Sequence, residues 1–291
     1  MKLILLLVVI EIVLRVFKFV PLPLGWDIWE PDPQIGFGLR PDFEQTIELA
    51  NLERNFYVVH NDKGLRVNSK KHALDIPPPP PKVLGIGDSF MYGWGVEYRE
   101  TWLHKLGRKM KCEVVNAGIP GFNANHMRKW VEYYSAEYNP EVIVVAFTDT
   151  DALPEDSICV GNKLVDTRLS IRLMKFLHNH SHLCRLIINN LIVPTLVDDP
   201  DEKQWESMKA EFVKLKKATN AHVILVHIDS SGYKLDTILK DMSAWARQND
   251  MEYIGVALRG DDNFREGHPN EWGHDKIARI VYENTSLSSK E

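Results

Sequence analysis

Val83-Leu84-Gly85-Ile86-Gly87-Asp88-Ser89-Phe90 opens with an unbroken run of apolar and small residues and ends in a polar turn. A short continuous run, unlike an alternating one, suits a strand covered on both faces. Further runs of this kind stand at Val114-Val115, Val142 to Phe147, His222 to Ile228 and Tyr253 to Val256. Between them apolar residues recur at helical spacing. One stripe is Met127, Trp130, Val131, Tyr134 and Tyr138, and a second is Trp205, Met208, Phe212 and Leu215. A third is Leu235, Ile238, Leu239, Met242 and Trp245, and a fourth holds Ile277, Ile280 and Val281. Strands and helices alternating over short connections predict an α/β fold built on a doubly wound parallel sheet. The stripes read as core faces. Residues 152–200 break the rhythm and read as an insertion near the carboxyl ends of the strands, with Leu169 to Leu177 and Leu183 to Val193 expected to be helical.

Upstream the pattern changes. Pro77 to Pro81 is a polyproline spacer, which separates the domain at 82–286 from a lead-in at 24–76. In the lead-in, Trp26, Trp29 and Pro31-Asp32-Pro33 suggest a looped start. Gln45 to Leu49 and Asn55 to Val59 read as short strands, and Asp62-Lys63-Gly64 as a turn. Residues 1–23 form an apolar head with a net positive charge, from Lys2, Arg15 and Lys18 against Glu11. As a helix, Leu3 to Val20 would span about 27 Å, close to the hydrocarbon thickness of a bilayer. A membrane anchor or signal-like helix is the expectation, with Glu11 pairing with Arg15 one turn on. The shared face of Glu11, Arg15 and Lys18 also fits an interfacial amphipathic helix, and a buried soluble helix is the alternative. Pro21 and Pro23 end the helix in every case.

The whole chain is 291 residues, 44% hydrophobic and 26% charged, as ordinary globular proteins are. A net charge of −5 lacks the basic footprint of a nucleic-acid binder. Cys112, Cys159 and Cys184 are too few, and odd in number, for a disulfide framework. His178, His180 and His182 have no cysteine or carboxylate partner at ligand spacing, so no metal is expected.

In a doubly wound sheet, sites form outside the carboxyl ends of the strands. Ser89 directly follows a buried strand there, although a serine in that place also suits a helix cap. Near the other end stands Glu266-Gly267-His268-Pro269-Asn270-Glu271-Trp272-Gly273-His274, a histidine two residues after a carboxylate and just before a helix start. Serine chemistry needs a base to take the hydroxyl proton and a third group to hold the imidazole tautomer. It also needs donors aimed at the developing oxyanion. Candidate donors follow the second and third strands, at Asn116-Ala117-Gly118-Ile119-Pro120-Gly121 and Thr148-Asp149-Thr150-Asp151. His126 and Arg128 fit a solvated face bordering this crevice, and His274 a packing role in the last helix.

These residues together resemble the SGNH/GDSL hydrolase family, and most of all its bacterial branch with an N-terminal membrane anchor. The resemblance is carried by Gly87-Asp88-Ser89-Phe90 with Gly93-Trp94-Gly95-Val96, and by His268-Pro269-Asn270 with Gly273-His274. In the lead-in, Gly36-Phe37-Gly38-Leu39-Arg40-Pro41 and Asn61-Asp62-Lys63-Gly64-Leu65-Arg66 add to it. It implies a flavodoxin-like three-layer α/β/α sandwich with a five-stranded parallel sheet, plus a small β-containing lead-in. It implies Ser89 as nucleophile, His268 as general base and Glu266 as the acid holding it. The oxyanion donors would be the backbone N–H groups of Ser89 and Gly121, with Gly118 a weaker match than Gly121, together with Thr150. Asp88 and Asp151 would be supporting residues, Asp88 fixing the turn. No metal or organic cofactor is implied. The substrate would be an acyl ester on a small molecule, glycan or lipid, and the catalytic domain would lie outside the cytoplasm. Two departures stand out: Thr150 replaces the usual asparagine, and Glu266 the usual aspartate. An acyltransferase using the same nucleophile, and a catalytically silent scaffold or glycan-binding module, are the alternatives.

Overall fold

The computed structural model describes residues 2–17, 28–47, 55–69, 83–152, 157–159, 164–166, 181–187, 201–229, 235–265 and 267–286. The polyproline run and the stretch Leu169 to Leu177 lie outside the described residues. The chain begins with helix α1 (Lys2–Phe17) and strands β1 (Trp29–Asp32), β2 (Gly36–Leu39), β3 (Glu44–Ile47), β4 (Phe56–His60) and β5 (Arg66–Val67). The alternating part follows with β6 (Val83–Gly87), α2 (Ser89–Tyr92), α3 (Trp102–Met110), β7 (Val114–Gly118), α4 (Ala124–Tyr134) and β8 (Val142–Phe147). The insertion contributes β9 (Ser157–Cys159), β10 (Leu164–Asp166) and α5 (His182–Ile187). Then come α6 (Glu202–Lys217), β11 (His222–Asp229), α7 (Leu235–Gln248), β12 (Glu252–Ala257) and α8 (Glu271–Asn284).

Strands β12, β11, β8, β6 and β7 lie side by side in that order, all parallel. Read from β7, they stand second, first, third, fourth and fifth in chain order, which is the flavodoxin-like arrangement. Every residue of β6 and β8 is buried, as their continuous apolar runs require. On one face, Met127, Trp130 and Val131 of α4, Met208, Phe212 and Leu215 of α6, and Met242 and Ala246 of α7 cover Ile143, Val145, Phe147 and Leu225. On the other, Trp102, Leu103 and Leu106 of α3 and Ile277, Ala278 and Val281 of α8 cover Val144, Val226 and Val256. The result is the expected three-layer sandwich.

The lead-in departs from its expected separateness. Strand β5 pairs antiparallel with β7, β4 with β5 and β3 with β4, so the five parallel strands are extended to an eight-stranded sheet. Without them β7 would be an open edge, a surface that folds tend to cover. The expected looped start is a hairpin instead, β1 pairing antiparallel with β2. Asp32 closes it by accepting from the N–H groups of Gln34 and Ile35 at 2.8 and 3.0 Å. Pro31 fits within β1 because a two-stranded ribbon leaves one edge of the strand without partners. In the insertion, β9 and β10 form an antiparallel pair that the sequence did not suggest.

Helix α1 has sixteen residues, about 24 Å at the usual rise. No helix among the described residues is long and apolar enough to cross a membrane. Glu11 does pair with Arg15, at 2.7 Å. It also accepts from Ser181 Oγ and from the N–H groups of His182 and Leu183 at the start of α5.

The lead-in is joined to the site by Arg66, which is 1% exposed. Its guanidinium donates to the carbonyls of Tyr92, Gly93 and Val96 at 2.5–2.6 Å, and it lies 4.6 Å over the Tyr92 ring. Next to it His60 Nε2 meets Tyr92 Oη at 2.9 Å. Removing the guanidinium would leave the buried carbonyls of Tyr92 and Val96 unpaired, each worth about 1–3 kcal/mol, and Gly93 O with only its bond from Val96 N–H. Arg66→Met is therefore expected to lower the unfolding free energy by about 3 kcal/mol or more in urea titration, and Arg66→Lys to recover only part, since one ammonium lacks the planar fork.

Candidate active site

Strand β6 ends at Gly87, and the chain turns at once into the four-residue helix α2. Asp88 caps this helix, its carboxylate accepting from Phe90 N–H at 2.8 Å. Ser89 is thereby the first helical residue and stands half-buried at the carboxyl end of the central strand. Its carbonyl accepts from the N–H groups of Gly93 and Trp94, which folds the following loop back beneath it.

His268 arrives from the other end of the chain on a tight loop. Phe264 N–H donates to His268 O at 2.8 Å, Asn263 bridges Pro269, and Asn270 caps α8 by accepting from Trp272 and Gly273. The imidazole Nε2 lies 2.8 Å from Ser89 Oγ. If Nε2 takes the hydroxyl proton, the imidazole carries its own proton on Nδ1, where a carboxylate would hold it. Glu266, the expected holder, lies outside the described residues. The rings of Phe90 and Trp94 flank the imidazole, with centroids 5.3 and 6.4 Å away.

The loop after β7 sits directly against the nucleophile turn, since Ile119 N–H donates to Gly87 O at 2.9 Å. Asn116, Ala117 and Gly118 do not follow the second strand but belong to it. Asn116 uses both ends of its amide, donating to Met91 O and accepting from Gly118 N–H. That commits Gly118 and removes it as an oxyanion donor. A Cβ at Gly118 would also lie 2.3 Å from Tyr92 N, so its glycine serves the close packing of α2 on β7. Among the described residues, no hydrogen bond occupies the N–H of Gly121.

After β8, Asp151 fixes the turn by accepting from Thr148 N–H at 2.7 Å. Thr150 is exposed, and its hydroxyl lies 2.8 Å from that of Thr148. Asp151 is buried, and burial together with the nearby Asp88 carboxyl pushes its pKa well up. Burial raises Asp88 to about 6, against the opposing pull of His268.

His126 and Arg128 depart from the solvated face expected of them. His126 is buried instead of solvated, stacked on Phe122 at 5.3 Å, and burial drives its pKa down to about 3. Arg128 is mostly covered and pairs with Glu211 and Glu132. His274 is buried in α8 and accepts from Trp102 N–H through Nδ1 at 3.1 Å, in keeping with a packing role. The sequence reading missed His227. Its ring stacks parallel to Phe147 at 4.7 Å, with Nε2 2.9 Å from Asp149 and Nδ1 2.9 Å from Tyr253 Oη. The signal was a lone polar residue near the carboxyl end of a buried strand, hidden within an apolar run.

No protein-family model matches the chain, and no curated protein matches it. Solved structures do resemble it. One is a protein described as lipolytic and of the G-D-S-L family from Desulfitobacterium hafniense DCB-2, at 18% identity and TM-score 0.42, covering 69% of this chain and 97% of that one. A family 3 carbohydrate esterase from Clostridium thermocellum is 13% identical at TM-score 0.42, covering 69% and 93%. A GDSL-like lipase from Bacteroides thetaiotaomicron VPI-5482 is 13% identical at TM-score 0.41, covering 70% and 86%.

The raised Asp88 pKa sets a pH dependence. Between about 4 and 6 the folded state keeps a proton that the unfolded chain has released, so this group's contribution to stability falls as pH rises through that window. Asp88→Asn keeps the cap and stays neutral. Its thermal midpoint relative to the native chain is expected to rise by several degrees between pH 4 and pH 7; a constant difference would count against the buried carboxylate.

Proposed function

We propose that this chain is a serine ester hydrolase of the SGNH/GDSL type. The observation that carries the reading is the 2.8 Å contact between His268 Nε2 and Ser89 Oγ at the carboxyl end of the sheet, brought together from 179 residues apart. Ser89 Oγ attacks the acyl carbon while its proton passes to His268 Nε2. The carbonyl oxygen becomes an oxyanion, received by the N–H groups of Ser89 and Gly121 and by the Thr150 hydroxyl. Collapse of the tetrahedral intermediate breaks the ester bond, and the leaving alkoxide takes the proton from His268. Water then attacks the acyl-serine with His268 as base, releasing the acid and restoring Ser89. Glu266 is the group we assign to hold the imidazole, and Asp88 and Asp151 support the turns that carry Ser89 and Thr150. The substrate class we assign is an acyl ester on a carbohydrate or lipid, with the Phe90 and Trp94 rings beside His268 offering an apolar wall.

We further propose that α1 tethers the protein to a membrane surface, with the catalytic domain outside the cytoplasm. Leu5, Leu6, Leu7, Val8, Val9, Ile12, Val13 and Val16 are all 41–67% exposed, an apolar surface that lipid would cover. Deleting residues 1–20 is expected to move the protein from the membrane to the soluble fraction; a full-length chain that is already soluble would exclude the tether.

The hydrolase reading is tested with a fluorophosphonate probe. Labelling should occur in the native chain and vanish in Ser89→Ala. No labelling of a folded native chain would favour the silent scaffold. In steady-state hydrolysis of an aryl acetate, Thr150→Asn, which supplies a longer-reaching amide donor, is expected to raise kcat about tenfold, a fraction of what a full oxyanion donor contributes; an unchanged or lower kcat would remove Thr150 from the oxyanion site.

A further inference from the structure

Ile119-Pro120-Gly121-Phe122 is a β-turn closed by Phe122 N–H donating to Ile119 O at 3.1 Å. Proline stands at its second position, and Gly121 at its third has φ +87°, so the turn is type II. Types I and II differ by a flip of the central peptide unit, here the Pro120 carbonyl joined to the Gly121 N–H. Glycine accepts the backbone angles of either form, so the local sequence does not choose between them. The unit is planar and trans, so its C=O and N–H point in opposite directions. Whatever holds the Pro120 carbonyl therefore aims the Gly121 N–H.

That carbonyl is held from 91 residues earlier in the chain. The indole Nε1–H of Trp29, on hairpin β1–β2, donates to Pro120 O at 3.0 Å within the buried interior. A cavity of about 320 Å³ lies between this hairpin and the loop, lined by Ile35, Leu39, Ile119 and Tyr134 among others. The hairpin also packs on the turn through Phe37, whose ring meets that of Phe122 edge-on at 5.3 Å, but the indole bond is the contact directed at the central peptide itself.

We propose that Trp29 is a positioning residue for the oxyanion site, locking the central peptide in the type II orientation and so fixing the direction of the Gly121 N–H. The inference rests on the hydrolase reading, because the direction of that N–H matters only if an oxyanion forms beside it. The lead-in thereby becomes part of the catalytic apparatus. Misaiming the donor should affect the transition state more than the bound substrate, and so kcat more than KM.

The test is Trp29→Phe, which keeps a ring in the space and removes only the N–H donor, read by steady-state hydrolysis of an aryl acetate and by amide exchange at Gly121. The expected result is a kcat about tenfold lower with KM within twofold, and an altered exchange rate at Gly121 in a chain that remains folded. An unchanged kcat, or a loss in kcat with Gly121 exchange unaltered, would overturn the proposal. Trp29→Leu, which removes ring and donor together, separates the two contributions: a further loss confined to the thermal midpoint supports the donor as the functional part, whereas kcat falling only in Trp29→Leu overturns it. Failure of the native chain to hydrolyse or to label at Ser89 would overturn the hydrolase reading and this inference with it, a result distinct from an active native chain that is indifferent to Trp29→Phe.

Discussion

A buried guanidinium organises the space between the lead-in and the nucleophile. Among the described residues no carboxylate oxygen lies within ion-pair distance of Arg66, and its partners are three main-chain carbonyls. Taking such a charge out of water costs several kcal/mol. Charge-assisted bonds to the carbonyls and the cation–π contact with Tyr92 offset that cost without exceeding it by much. What the arrangement supplies is direction. The carbonyls of Tyr92 and Gly93 lie at the carboxyl end of α2, where the helix dipole favours a positive charge. The same three bonds fix the course of the chain from Tyr92 to Val96, whose Trp94 faces His268. An alternative path for this segment would leave a charge in the core without acceptors, so one path is strongly favoured.

The parallel sheet was legible because its strands are buried on both faces and carry no alternation to confuse them with an amphipathic element. The start of the lead-in was not legible, for opposite reasons. β1 contains Pro31, and both hairpin strands have only four residues, so neither composition nor period separates them from a loop. The pairing of β5 with β7 rests on a single register pair, Arg66 with Asn116. A contact between segments fifty residues apart leaves no local trace. Helix α3 was missed as well. Its apolar residues Trp102, Leu103 and Leu106 are interrupted by His104, Lys105 and Gly107, and Gly107 has no intrinsic preference for a helix. It is held by packing against α8 instead, with Trp102 N–H donating to His274.

The site divides in the same way. Ser89 was found because it directly follows a buried strand, and His268 because it stands two residues after a carboxylate and just before a helix start, each calling for the other. The resemblance already favoured Gly121 over Gly118, and the structure adds a reason, since Asn116 occupies the Gly118 N–H. Trp29 carries no signature at all, and that of His227 is only a lone polar residue within an apolar run. An indole donor to a carbonyl, or an imidazole between Asp149 and Tyr253, is a property of tertiary structure. Polar groups buried in a sheet must find partners, and those partners are seldom neighbours in sequence.

The threonine that stands at position 150, where the resemblance to the SGNH/GDSL family leads one to expect asparagine, then has a physical reading. A threonine hydroxyl has one proton, and here it shares a short contact with the Thr148 hydroxyl, which in turn lies 3.4 Å from Asp151 Oδ2. If Asp151 is charged, Thr148 turns its proton toward the carboxylate, and the Thr150 proton is drawn toward Thr148 and away from the crevice. If Asp151 is neutral, Thr148 is free to donate to Thr150, and the Thr150 proton turns outward, where an oxyanion would form. Burial and the adjacent Asp88 both favour the neutral acid. On the proposed hydrolase reading, the paired buried carboxyls, which cost stability as the pH rises, would also favour the outward orientation of the Thr150 hydroxyl.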